Sequence, residues 1–170
     1  MREIAMKRRF FLTLLGASGA TLLLSSPQKA RGYLSADTLA LIHAVQQHMF
    51  PEGTTMPSAK SFNATEFLNE TVSHSSFDKD IRKFIIDGSE KLQKREESRF
   101  LHYSSRERER ALRSYEETPF GSGWLDRIML LSLEGLLSDP IYGGNSKQSG
   151  WRALATRGGE PRPTSRYIEL

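Results

Sequence analysis

From Trp124 to Leu137 the sequence leaves almost no room for a polar face. Trp124, Leu125, Ile128, Met129, Leu130, Leu131, Leu133, Leu136 and Leu137 are relieved chiefly by Asp126, Arg127, Ser132 and Glu134. A segment of this length without period-2 alternation reads as a helix, and a helix apolar nearly all round must be buried. In a chain of 170 residues with few other helices, it is either the centre of a bundle or is partly covered by another protein. Pro119, Gly121 and Gly123 interrupt the pattern ahead of it, and Asp139-Pro140 ends it.

The segments around it also carry helical spacing. Leu39, Ile42, Val45 and Met49 follow a capping Ser35 and stop at Phe50-Pro51. A second helix starts near Asn63, where Asn63 and Glu66 have capping-box character and Phe67, Leu68 and Val72 form the apolar side. The clearest amphipathic pattern places Phe77, Ile81, Phe84, Ile85, Gly88 and Leu92 on one face. Asp78, Lys79, Arg82, Lys83, Glu90 and Lys91 decorate the other faces, and the helix is expected to reach about Arg99 or Tyr103. Ser104 to Glu107 is a capping box for the next helix, whose alternating Arg106 to Arg110 reads as a solvated face. No strand pattern and no repeat emerges, so the fold class is all-α: a small irregular helical bundle around one buried helix of the C-terminal half, with no sheet.

Composition narrows the chemistry. The chain has no cysteine, which excludes disulfide staples, thiolate iron–sulfur ligation, haem attachment through Cys-x-x-Cys-His and a cysteine nucleophile. The net charge is +4, but Arg2, Lys7, Arg8, Arg9 and Lys29 against Glu3 account for all of it. The body is neutral and carries no basic footprint for nucleic acid. His43 and His48, five apart, point about 140° from each other on a helix and make poor joint metal ligands, while His74 and His102 are isolated. Gly121-Ser122-Gly123 is too short to cradle a phosphate and follows no strand. The expectation is a chain with no catalytic, metal-binding or cofactor-binding residues of its own.

The N-terminal segment reads as an export address. Lys7-Arg8-Arg9-Phe10-Phe11-Leu12 opens an uncharged run to Leu24 that is diluted by small residues. Arg8, Arg9, Phe11 and Leu12 carry a resemblance to the twin-arginine signal, although Lys7 stands where Ser or Thr is usual and Thr13 where Lys is frequent. The competing reading is a membrane anchor or a buried N-terminal helix. At about 1.5 Å per residue the run covers roughly 22 Å, short of the roughly 30 Å hydrocarbon core. Ser18-Gly19-Ala20 has a small-x-small form but lies inside the apolar run, and Ala30 has Gln28 where a small residue is wanted, so cleavage and retention both stay open. The chain thus divides into a leader over 1–34, a helical domain over 35–157 and an extended tail over 158–170. The tail has Pro161 and Pro163 and no apolar periodicity, and is expected to extend over a partner or stay disordered.

The stretch from Trp124 through Asp139-Pro140-Ile141-Tyr142-Gly143-Gly144-Asn145 to Gly150-Trp151 resembles subunit 3 of gluconate 2-dehydrogenase. That family is the small, or gamma, subunit of bacterial membrane-associated flavin dehydrogenases acting on sugars, sugar acids and polyols. The resemblance spans about Ser35 to Leu154, and its hallmark is the buried helix followed by Asp-Pro-x-Tyr-Gly-Gly-Asn and Gly-Trp. It implies a non-catalytic subunit that assists maturation of an FAD-dependent, glucose-methanol-choline-type dehydrogenase and carries it through the twin-arginine translocase. FAD would sit in the partner, a multihaem cytochrome c subunit with haem c receives the electrons in many such complexes, and the location would be periplasmic and inner-membrane associated. Gly143 and Gly144 read as a rigid corner. Trp124, Tyr142 and Trp151 are candidates for a contact surface as much as for core, with Asp139, Pro140 and Asn145 completing the motif. The alternative is an independent periplasmic helical protein held by an uncleaved N-terminal anchor.

Overall fold

The computed structural model describes residues 34–166. Six α-helices follow in order: α1 (Ala36–Met49), α2 (Ala64–Ser73), α3 (Lys79–Arg95), α4 (Ser105–Glu116), α5 (Pro119–Leu137) and α6 (Ser149–Ala153), with short 3-10 turns at Phe100–His102, Pro140–Tyr142 and Ser146–Gln148. No strand occurs among the described residues, and the fold is all-α as the sequence predicts. The apolar segment forms the axis: α5 packs against each of the other five α-helices. Its Trp124, Ile128 and Leu131 are removed from solvent, surrounded by Leu41, Ile42 and Val45 of α1, Leu68 and Val72 of α2, Ile85 and Leu92 of α3, and Leu112 and Tyr115 of α4. A smaller cluster of Phe50, Ala59, Phe62 and Ala64 closes over Leu136, with the Phe50 and Phe62 rings edge to face at 5.4 Å.

The helix ends show where local signals decide and where packing does. Ser35 caps α1 by accepting from the Thr38 amide at 3.1 Å, and the Ser104–Glu107 capping box forms in full. The box expected at Asn63 does not form. Asn63 adopts a left-handed conformation, φ 61°, with no side-chain cap, because the chain enters α2 from a turn closed by Ala64 N–H to Ala59 C=O at 2.9 Å. An asparagine tolerates that conformation better than most residues. α3 stops at Arg95 rather than near Arg99 or Tyr103. Glu97 and Ser98 both take positive φ and swing the chain so that Phe100 enters the core. Pro119, Gly121 and Gly123 do not interrupt a helix but begin one. Thr118 caps it by accepting from the Gly121 amide at 3.0 Å, and proline suits the first turn.

Two polar side chains are buried against expectation from their pattern. Arg82, predicted on the solvent face of α3, is only 9% exposed. Its Nε donates to the Val72 carbonyl at 2.7 Å and its Nη2 to the His74 carbonyl at 2.8 Å, so the guanidinium satisfies the carbonyls where α2 ends. Ser132, a polar break in the apolar run, is wholly buried. It accepts from Gln46 Nε2 at 3.0 Å, Gln46 accepts from the Thr65 hydroxyl at 2.7 Å, and His43 Nδ1 lies 3.0 Å from that hydroxyl, so one chain of polar contacts ties α1, α2 and α5 in register.

At the opposite end of α5 the Trp124 indole lies over Gly88. Trp124 Nε1 donates to the Ile85 carbonyl at 3.0 Å and the Tyr115 hydroxyl to the Gly88 carbonyl at 3.0 Å. Burial pushes the Tyr115 phenol up to about 12. A Cβ on residue 88 would overlap the indole. Gly88→Ala is therefore expected to cost about 1–3 kcal/mol through overpacking, despite alanine's better helix propensity, and to lower the thermal midpoint by several degrees in a circular-dichroism melt. An unchanged or raised midpoint would refute the packing account.

Candidate functional site

A helix that ends in the protein interior leaves its last carbonyls without intrahelical donors. α5 ends half-buried at Ser138, and the residues after it supply the donors. The Ser138 amide bonds the Glu134 carbonyl at 2.8 Å. Trp151 Nε1 donates to the Leu137 carbonyl at 2.7 Å, and Asn145 Nδ2 donates to the Ser138 carbonyl at 2.8 Å. Asn145 Oδ1 accepts in turn from the Gly150 amide at 2.9 Å, which fixes the start of α6. Asn145 is wholly buried and Trp151 is 5% exposed.

The turn between them depends on close backbone approach. Gly143 has φ 95°, and a Cβ on Gly144 would collide with the backbone of Gly135 in α5. Asp139 caps the Pro140–Tyr142 turn by accepting from the Ile141 amide at 3.0 Å. The tail folds back over this corner. Arg162 pairs with the Asp139 carboxylate and lies 4.8 Å from the centre of the Trp151 ring, while Gly158 packs on the same ring. The Arg162 guanidinium bonded to Asp139 holds its carboxyl below the usual carboxylate range. Arg166 Nη2 donates to the Tyr142 carbonyl at 2.9 Å and pairs with Glu70 of α2.

Beside the corner lies an open groove of about 740 Å³, bounded by Phe67 and Thr71 of α2, the 74–78 turn, Glu134 and Leu137 of α5, and Tyr142. The outward face of α5 meets it at Leu137. Leu130, Leu133 and Leu137, at three- and four-residue spacing, are 44%, 37% and 43% exposed. They form an apolar stripe flanked by exposed Asp126 and Glu134. A helix buried on three sides thus presents leucine to solvent on the fourth, a surface suited to another protein.

The structure brings Asp139, Pro140, Tyr142, Gly143, Gly144, Asn145 and Trp151 together at one end of α5, with Trp124 far along the helix and wholly buried. Of the three aromatics, Trp124 and Trp151 lie in the core and Tyr142 borders the groove. Arg8, Arg9, Phe11 and Leu12 lie outside the described residues. The histidines stay apart: His43 meets Thr65, His48 meets Glu109 at 2.6 Å and His74 meets Ser76 at 2.7 Å. Among the described residues, no group of three or more His, Cys, Asp or Glu is placed to hold a metal ion. Sequence reasoning did not single out the leucine stripe or the two tail arginines. The leucine spacing was visible, but an all-apolar helix does not reveal which leucines face outward.

Among known families, the model described as gluconate 2-dehydrogenase subunit 3 matches residues 36–159, from the start of α1 through the corner to the beginning of the tail. No curated protein and no solved structure matches the chain.

Removing the corner's donors should expose the dependence of α5 on them. Asn145→Ala leaves the Ser138 carbonyl and the Gly150 amide unpaired and is expected to cost about 1–3 kcal/mol for each buried group left unsatisfied. Trp151→Phe keeps most of the ring but loses one bond and should cost less. Chemical denaturation that ranks Trp151→Phe as the more damaging would contradict this assignment. The Asp139–Arg162 pair carries a pH signature. A folded-state pKa below the unfolded value adds stability above the ordinary carboxyl pKa of about 3.9 and loses it as pH falls through the lower folded value. The Trp151 indole resonance should hold steady from neutral pH down to about 4 and shift below it. Asp139→Asn should abolish that acid transition, and a shift centred near pH 6 in the wild-type chain would point to a histidine instead.

Proposed function

Since the chain belongs to the gluconate 2-dehydrogenase subunit 3 family, and so to the accessory subunits of a dehydrogenase complex, we propose that it is the non-catalytic small subunit of a periplasmic or membrane-associated complex. Its partner would be an FAD-dependent dehydrogenase of the glucose-methanol-choline type. The flavin and the substrate pocket would belong to that large subunit, and a multihaem cytochrome c would be the onward electron acceptor where one is present. The small subunit would favour the folded flavoprotein by mass action, and the resemblance of Arg8-Arg9-Phe10-Phe11-Leu12 to a twin-arginine signal supports a role in carrying the folded pair across the inner membrane.

The observation that carries this reading is the solvent-facing leucine stripe on the helix every other helix packs against. Interface cores concentrate apolar contact within a polar rim, and Leu130, Leu133 and Leu137 between Asp126 and Glu134 match that anatomy. The stripe is continuous with the family's corner through Leu137, whose carbonyl Trp151 binds.

An affinity pull-down of the tagged chain from its native cells tests the proposal. The expected eluate is yellow, with a flavin absorption spectrum and a large subunit in roughly equal amount. Leu130→Glu with Leu133→Glu should weaken capture at least tenfold, equivalent to about 1.4 kcal/mol, while the helical circular-dichroism signal persists. Loss of this chain should leave the partner unstable or stranded in the cytoplasm. A fully active, correctly exported flavoprotein in its absence would overturn the proposal.

A further inference from the structure

We propose that the leucine stripe of α5 and the groove that meets it at Leu137 together seat one amphipathic helix of the partner, whose apolar face is flanked by lysine or arginine. The proposal rests on the accessory-subunit reading only for the identity of the chain that carries this helix. Leu130, Leu133 and Leu137 are exposed and run about 10 Å along α5, two turns of a helix. Such a ridge is matched by a partner helix with anchors at three- and four-residue spacing. The groove adds a recess at one end of the ridge. Phe67, Phe77 and Leu137 give it apolar walls, and its volume of about 740 Å³ admits more than one large side chain. It is open along its length and continuous with the ridge, a shape that receives side chains from a larger body, whereas small-molecule sites enclose most of their ligand.

Charge specifies the occupant further. The groove is lined by two carboxylates, Asp78 and Glu134, and by no lysine or arginine. Along α5 the exposed charges are again acidic, Asp126 and Glu134, and the helix's one cation, Arg127, is half-buried. The arginines nearest the groove are already engaged. Arg82 donates to the carbonyls of Val72 and His74 beneath the 74–78 turn, and Arg166 donates to the Tyr142 carbonyl and pairs with Glu70. The apolar surface is thus bordered by carboxylates on an otherwise neutral body. A helix with acidic flanks would be repelled there, and one with basic flanks would be steered and held in register. Long lysine and arginine stems would also extend the apolar contact while their heads reach the rim.

Two labelled helical peptides test this on the full chain by fluorescence anisotropy. Both carry the same leucine face, one flanked by lysine and the other by glutamate. The lysine peptide is expected to bind about tenfold tighter at low ionic strength, with a gap that narrows in salt. Asp126→Lys with Glu134→Lys should reverse the preference. Glu134→Gln is the milder variant and should only weaken the lysine peptide, with folding checked by circular dichroism. Hydrogen exchange should slow on binding in segments 67–78 and 130–142. Equal binding of the two peptides, a footprint elsewhere, or self-association of the chain through the stripe would overturn the proposal. The same charge-reversed chain, used as bait in native cells, separates this inference from the reading it deepens. Flavoprotein captured by the wild-type chain and lost with the variant supports both. Undiminished capture by the variant overturns the basic-flanked helix and leaves the accessory role standing. If neither chain captures a flavoprotein, the accessory role fails, and the peptides alone decide the chemistry of the surface.

Discussion

The fold depends on one event, the burial of α5 with both of its ends satisfied. Apolar contact alone does not place a helix in an interior, because its terminal amides and carbonyls come with it. Thr118 supplies the first acceptor at the N-terminal end, and Ser138, Asn145 and Trp151 supply donors at the other. The 139–151 segment is therefore best understood as the C-terminal cap of α5, extended over a dozen residues so that Asn145 and Trp151 fold back to its last carbonyls. Its glycines let that cap approach the helix backbone, and its tail arginines hold the cap in place.

The same helix serves two surfaces. Its inner faces contribute Trp124, Ile128, Leu131 and Leu136 to the core, while Leu130, Leu133 and Leu137 face outward beside the groove. Core and candidate interface are thus one rigid element rather than a scaffold bearing a loop. This arrangement suits binding with little rearrangement, since the contact residues are held by the packing of their neighbours on the same helix. The accessory role implied by the family match needs nothing more elaborate than such a surface.

Much of this was legible in the sequence for physical reasons. The all-apolar run could only be an interior helix, and Ser35 and the Ser104–Glu107 pair mark helix starts by chemistry that acts within four residues. The motif after α5 was visible as a cluster of turn formers and aromatics. Other features depend on distant groups. Arg82 is buried because the end of α2 presents carbonyls to it, Asn63 is left-handed because a preceding turn dictates it, and Pro119-x-Gly121-x-Gly123 opens a helix capped by Thr118 in which Gly121 passes too close to the Tyr115 carbonyl for a side chain. The outward leucines could not be told from the inward ones, since all share one chemistry.

That ambiguity makes the glycine contacts more than a matter of space. A helix coated with leucine has no preferred azimuth: rolled about its axis, it would bury nearly the same apolar area. Trp124 seated on Gly88, Gly135 against both Phe67 and Gly144, and Ser132 bonded to Gln46 each work at only one rotational setting. Together they act as a key in a slot. The direction in which the exposed leucines look is thereby set by the few small and polar residues of α5 and its neighbours, and not by the hydrophobic effect that buries the helix.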